Sequence, residues 1–320
     1  MVFTIFQLIG GFFLLYLGAE WLVHGASRLA KSLGVKPLVI GLTVVAFGTS
    51  APELLVSVTA ALKKESAIAL GNVIGSNIAN IGLVLGISAL FWPLKCSVTT
   101  VKREIPIMIL SPVILYLFTI NGKIGLSEGL ILFICLCLFI GYNYFFIRRE
   151  PPQVATEVSK IYGTFFNNGN TKLKWCGLII LGLGTLLVSA HFVIRSAVTI
   201  AESIGISHKF IGLTLVAVGT SLPELITSAV AALRKEPDIS VGNVVGSNIF
   251  NIFSVIGITA MITPLTVNQG FLLEFIGVTF FSVLLIPLML TENRISRLEG
   301  FWLVVLYFGY MAWLGIRSQS

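Results

Sequence analysis

Two stretches, Gly48-Thr49-Ser50-Ala51-Pro52-Glu53 and Gly219-Thr220-Ser221-Leu222-Pro223-Glu224, recur 171 residues apart, and nothing else in the chain limits its possible folds as much. The same offset carries Gly41 onto Gly212, Gly71 onto Gly242 and Asn80 onto Asn251. Over positions 41–90 about three residues in five are identical without a gap. The correspondence reaches outward through Gly34 and Gly205, Pro93 and Pro264, and Glu128-Gly129 and Glu299-Gly300. Self-similarity of this extent is the mark of a duplicated unit. The fold is therefore expected to be two copies of one unit packed together.

The solvent of those copies follows from the residues between the motifs. Charged residues make up 11% of the chain and hydrophobic ones 56%, where a soluble domain would carry roughly 25% charged residues. The apolar runs are long and continuous and lack the period-2 alternation of a membrane β-barrel. An all-α integral membrane protein is expected. At about 20 apolar residues per span, ten transmembrane helices fit, near 3–27, 37–62, 67–92, 104–120, 126–147, 174–200, 209–233, 239–263, 271–290 and 298–316. The polar stretch 148–173 divides them into two five-helix repeats, 1–147 and 174–320. An odd number of spans per repeat makes the second copy enter the membrane from the opposite side. Inverted-topology repeats of this kind build many secondary transporters, with the site at the repeat interface near the midplane.

Basic residues orient the chain. Of the 21 Lys and Arg residues, 15 fall in loops on the side of the 148–173 linker and 6 on the other. The positive-inside rule makes that linker cytoplasmic and places both termini outside. The net charge of +7 is thereby a topology signal and carries no implication of nucleic-acid binding. The first apolar run lacks a basic n-region and a small-residue cleavage site, so it reads as a retained span in a multi-pass protein of the cell membrane. Cys96, Cys135, Cys137 and Cys176 lie in or beside apolar segments without metal-ligand spacing and read as small buried hydrophobes.

Each six-residue motif places a carboxylate inside an apolar segment, where an unpaired charge is expensive and usually functional. Pro52 cannot continue a helix arriving from residues 38–47, but it suits the first turn of a new one with Ser50 or Thr49 as cap. Gly48 permits unwound backbone between the pieces. A broken helix at membrane depth is expected, its freed carbonyls from about Ala46 to Thr49 needing a partner other than lipid. A cation held by those carbonyls, the Thr49 and Ser50 hydroxyls and the Glu53 carboxylate is one such partner. The second copy offers Ala217, Thr220, Ser221 and Glu224. These hard oxygen donors suit Ca2+ and Na+, with no His/Cys set for zinc or copper. A single copy could serve only as a helix start; two copies under inverted symmetry point to a site.

Beside each motif runs a polar helix: Gly71-Asn72-Val73-Ile74-Gly75-Ser76-Asn77-Ile78-Ala79-Asn80 and Gly242-Asn243-Val244-Val245-Gly246-Ser247-Asn248-Ile249-Phe250-Asn251. Asn72, Ser76 and Asn80 fall at i, i+4 and i+8 and line one helical face. Gly71 and Gly75 form a small-xxx-small pair that allows close packing. For Asn72 and Asn77, interhelical hydrogen bonding is a serious alternative reading. Ser76, Asn80, Ser247 and Asn251 are assigned to the site.

Paired GTSxPE and GNxxGSNIxN segments in two halves resemble the alpha repeats of the calcium/cation antiporter superfamily, and more narrowly the prokaryotic sodium/calcium exchangers. The resemblance covers nearly the whole chain. It implies that Glu53 and Glu224 are the main ligands of competing Ca2+ and Na+ ions. Ala46, Thr49, Ser50, Ser76 and Asn80 would assist from the first half, and Ala217, Thr220, Ser221, Ser247 and Asn251 from the second. Some relatives, including potassium-dependent exchangers, carry an aspartate where this chain has Asn251. Asn at both 80 and 251 is similar to the potassium-independent exchangers, and the acidic residue typical of the proton-coupled branch is missing from both partner helices. Two ionised carboxylates give about −2 at the site. One Ca2+ neutralises it and three Na+, the ratio the resemblance implies, leave about +1, so exchange would move charge worth roughly 2.3 kcal/mol per 100 mV.

The expected protein is thus an antiporter, with Ca2+ and Na+ as transported ions, no cofactor, the lipid bilayer as its surroundings and a monomeric functional unit. It is not expected to be an enzyme, having no nucleophile–base pair. A Ca2+/H+ antiporter and a passive cation channel are the alternatives. His191 and Arg195 read as lipid-edge residues with a snorkelling Arg, Glu128 and Glu299 as helix-start carboxylates, and Glu65, Glu236 and Asp238 as solvated.

Overall fold

A computed structural model describes residues 2–147, 169–203, 217–267, 271–291 and 293–317. Most of the expected 148–173 linker therefore lies outside the described residues. The first half begins with α1 (Val2–Leu33). Then α2 (Pro37–Ile40) runs through a π-helical stretch at Gly41–Val45 into α3 (Ala46–Thr49), followed by α4 (Ala51–Leu62). Next, α5 (Ser66–Ala79) passes through π-helical Asn80–Leu85 into α6 (Gly86–Phe91), and α7 (Val98–Thr119) and α8 (Leu126–Ile147) complete the half. The described part of the second half follows with α9 (Gly169–Ser203), α10 (Ala217–Thr220), α11 (Leu222–Leu233) and α12 (Pro237–Phe250). After π-helical Asn251–Ile256 come α13 (Gly257–Ile262), α14 (Leu272–Leu290) and α15 (Arg297–Arg317). Helices dominate because a backbone in hydrocarbon must satisfy its own hydrogen bonds.

Seven helical segments among the described residues are long and apolar enough to cross a membrane, and Pro37–Thr49 with Ala51–Leu62 make an eighth span bent by 41°. Two of the ten expected spans are not in that count. The segment 104–120 falls on α7 and its C-cap Ile120, and the first turns of that helix carry Lys102, Arg103 and Glu104. The segment 209–233 begins outside the described residues and leaves the 12-residue α11.

The expected unwound backbone around Gly48 is a different object. Residues 46–49 keep a helical turn, and the chain turns at Ser50, with φ −81° and ψ 5°, before Pro52 starts α4. Regular i→i−4 bonding is relaxed instead in the preceding π-helical stretch, a device frequent at functional sites.

The two polar helices form the centre. The spans Ser66–Phe91 and Pro237–Ile262 are each 83% buried, against 17% for Arg297–Arg317 and 28% for Phe3–Leu33. Around them a continuous apolar core joins α4–α8 to α11–α15, through residues such as Leu70, Ile81, Leu85, Val245, Ile252 and Phe281. A second cluster belongs mainly to α1 and α9, with Leu15, Leu22, Ile179 and Leu186 facing one another. Short antiparallel bridges tie the halves at repeat-equivalent positions: Leu94 pairs with Ile295, and Ile124 with Leu265.

Glu236, expected to be solvated, is engaged with α1. Ser27 Oγ donates to its Oε1 at 2.6 Å and Lys31 lies 3.7 Å away. Nearby, Arg234 Nε donates to Glu20 Oε1 at 2.7 Å.

Backbones touch where α12 crosses the first bent span. A Cβ on Gly246 would sit 2.6 Å from the Leu42 carbonyl oxygen, and one on Gly242 2.7 Å from that of Leu38. Helix association in lipid depends on such close approach. Gly246→Val is expected to destabilise the protein by about 1–3 kcal/mol, seen as a lower melting temperature in detergent. Gly141→Ala, where a Cβ meets nothing within 4 Å among the described residues, leaves the melting temperature unchanged. Equal stability of the two variants would contradict the tight crossing.

Candidate cation site

Glu53 stands in the first turn of α4 and Glu224 in the first turn of α11, each following a proline that starts its helix. Both carboxylates have no exposed surface. Among the described residues, neither oxygen of Glu53 and only one of Glu224 has a hydrogen-bond partner. A buried carboxylate left so is costly by several kcal/mol. The Ser221 Oγ, Asn80 Oδ1 and Asn251 Oδ1 atoms are buried and unpartnered as well. Buried polar groups nearly always find partners, which makes these oxygens candidate ligands for a cation.

Ser50 does not cap α4 with its side chain. Its hydroxyl instead donates to Glu224 Oε1 at 3.3 Å, reaching from one half to the carboxylate of the other. Thr220 and Ser221 lie within electrostatic reach of Glu53, as Thr49, Ser50 and Ser247 do of Glu224. Thr49 Oγ1 lies 3.4 Å from Ser247 Oγ and donates to Asn243 Oδ1 at 3.1 Å. The Ala46 carbonyl accepts the Ser50 N–H at 3.0 Å, so it is not a freed group, and the Thr49 hydroxyl lies 3.4 Å from it. Ala217 opens α10.

The other expected ligands lie on the facing polar helices, all buried. Asn251 Nδ2 donates to Ser76 Oγ at 3.1 Å and to Asn77 Oδ1 at 3.0 Å, while Asn80 Nδ2 donates to Asn248 Oδ1 at 3.1 Å. Each of these amides spends its donor across the halves and leaves its own oxygen unpartnered. Asn77 and Asn248 bind each other's backbone carbonyls, at 3.1 and 3.3 Å. Of the two readings open for Asn77, this geometry is interhelical bonding. The π-helical stretches begin at Asn80 and Asn251.

Ser57 and Ser228 escape the sequence reading. Asn72 Nδ2 donates to Ser57 Oγ and Asn243 Nδ2 to Ser228 Oγ, both at 3.0 Å. A signal existed: among positions 55–59, Ser57 alone is repeated in the second half. His191 and Arg195 are exposed, unlike the buried members of this cluster. Glu128 Oε2 accepts the Gly125 N–H at 2.8 Å, and Glu299 makes a capping box with Ser296, so both serve their helix starts.

Among the described residues no three His, Cys, Asp or Glu side chains converge. The cluster is two carboxylates amid hydroxyl, amide and carbonyl oxygens. Such a set favours a weakly held hard cation.

The sequence profile of the family described as "Sodium/calcium exchanger protein" matches residues 3–147 and 174–315. The chain is 38% identical over 316 residues to the putative antiporter CaxA of Alkalimonas amylolytica, covering 97% of this chain and 98% of that one. It is 34% identical to the sodium/calcium exchanger MaX1 of Methanosarcina acetivorans, covering 94% and 95%. Its fold superposes on a solved structure of the sodium-calcium exchanger NCX_Mj with a TM-score of 0.84 at 32% identity, over 98% of both chains. The paired carboxylate helices and the polar helices between them are thus set in a chain that belongs to the sodium/calcium exchanger family.

Proposed function

We propose that this protein is a secondary antiporter exchanging Na+ for Ca2+ across the cell membrane by alternating access. The observation that carries this reading is Glu53, fully buried with no hydrogen-bond partner for either carboxylate oxygen among the described residues, inside a cluster of oxygens from both halves. The exchanger names of MaX1 and NCX_Mj, the latter solved after soaking in Na+ and Ca2+, support the choice of ions. In this reading Glu53 and Glu224 are the main ligands. Thr49, Ser50, Ser76, Asn80, Ala46, Thr220, Ser221, Ser247, Asn251 and Ala217 supply neutral oxygens.

The chain is read as ten spans in two inverted five-helix halves, 1–147 and 174–320, joined by a cytoplasmic 148–173 segment, with both termini outside. The unbroken 171-residue offset and the equivalent bridges Leu94–Ile295 and Ile124–Leu265 support that reading. One chain supplies the whole oxygen cluster, which supports a monomeric functional unit. The α1–α9 pair, packed in its own apolar cluster, is the element that slides against the core. Neutral Asn at both 80 and 251 supports K+ independence.

The test is uptake of radiolabelled Ca2+ by proteoliposomes loaded with Na+ and diluted into Na+-free buffer, against choline-loaded and pH-jump controls. Uptake is expected only with internal Na+, and Glu53→Gln or Glu224→Gln abolishes it. Uptake driven by the pH jump alone would assign the Ca2+/H+ reading, and indifference to both gradients would leave a channel. With one net charge leaving per cycle, an inside-positive potential accelerates uptake; no response would refute electrogenic exchange. In detergent, Ca2+ at about 100 times its Kd should stabilise the wild type by about 2.7 kcal/mol. Glu53→Gln should show no Ca2+-dependent rise in melting temperature.

A further inference from the structure

We propose that Asn72 and Asn243 are positioning residues, each orienting the threonine hydroxyl of the opposite half so that its lone pairs face the ion. The inference rests on the cation site proposed above. Asn243 lies on α12 and donates through Nδ2 to the Glu224 carbonyl at 3.4 Å and to Ser228 Oγ at 3.0 Å. Asn72 on α5 does the same in the first half, to the Glu53 carbonyl at 3.2 Å and Ser57 Oγ at 3.0 Å. These bonds settle which way each amide points, since turning it over would set Oδ1 against a carbonyl oxygen, acceptor against acceptor.

With Nδ2 held on its own half, each Oδ1 faces the other. Thr49 Oγ1 donates to Asn243 Oδ1 at 3.1 Å, and Thr220 Oγ1 to Asn72 Oδ1 at 3.5 Å. An amide oxygen carries no proton, so the threonine must supply the one in that bond. Its hydroxyl hydrogen is then turned toward the asparagine, and its lone pairs are left for a cation. A free hydroxyl rotor would instead have to give up its orientation on ion binding. Each asparagine also ties the first turn of its own carboxylate helix to the opposite threonine, so ligands from both halves are aligned together.

A double-mutant cycle on purified protein tests this, with Ca2+ affinity read by calorimetric titration. One neutral hydrogen bond is worth about 0.5–1.5 kcal/mol, so Asn243→Ala should weaken Ca2+ binding by about two- to tenfold. In a Thr49→Val background, where no hydroxyl remains to orient, the same substitution should change affinity little. Thr49→Ser, which keeps the hydroxyl, should restore the dependence on Asn243. Should Asn243→Ala fail to give monodisperse protein, Asn72→Ala with Thr220→Val runs the same cycle in the other half, where Asn72 is only half-buried. Equal losses in wild-type and valine backgrounds would overturn the positioning role and leave the site intact. Absence of Na+-competed Ca2+ binding in the wild type would instead overturn the cation site itself.

Discussion

A fully buried carboxylate with no close hydrogen-bond partner among the described residues sets the terms for the rest of this structure. Glu53 has that position in α4, and burial of an unpaired charge opposes folding by several kcal/mol. The surrounding elements bring neutral oxygens from both halves beside the two carboxylates, ligands suited to sharing a cation with them. The turn at Ser50 and Pro52 brings the carboxylate into the centre of the bundle, and the matching turn at Ser221 and Pro223 brings in Glu224. In the proposed reading a cation completes the electrostatics, and either one divalent ion or several monovalent ions would do so, which is what exchange requires.

Neither half builds the site alone. Ser50 reaches Glu224, Thr49 reaches Asn243, and Asn251 reaches Ser76 and Asn77. The reciprocal bonds between Asn77 and Asn248 fix the crossing of the two polar helices, while the glycine contacts of α12 bring the first bent span against them. By contrast, α1 and α9 contribute none of the candidate ligands and pack chiefly on each other. The site thus sits in a tightly registered core beside a helix pair with its own apolar contacts, a division that suits alternating access around a fixed centre.

Much of this is legible in the sequence because duplication marks it twice. Glu53 and Glu224 are anomalous in apolar surroundings and share an offset with Thr49, Ser50, Ser76 and Asn80, and the fold buries all of them where the two halves meet. Less legible is anything decided by partners distant in the chain. A serine before a proline looks like a helix cap, and only the fold reveals that Ser50 donates to a carboxylate 174 residues away. Glu236 looks solvated beside Lys235 and Pro237, yet its partners Ser27 and Lys31 are on α1. The π-helical stretches have no distinct composition. They replace the unwound backbone that Gly48 suggests, because relaxing the helix upstream keeps more of its hydrogen bonds than breaking it would.

The most direct measurement is an anomalous difference map from crystals of the protein grown with Ca2+, repeated after exchange into high Na+. A peak is predicted within coordinating distance, about 2.3–2.6 Å, of carboxylate oxygens from both Glu53 and Glu224, and it should vanish in Na+. A Ca2+ peak elsewhere in the bundle, or one at these carboxylates that Na+ leaves undiminished, would contradict a single shared site for the two ions.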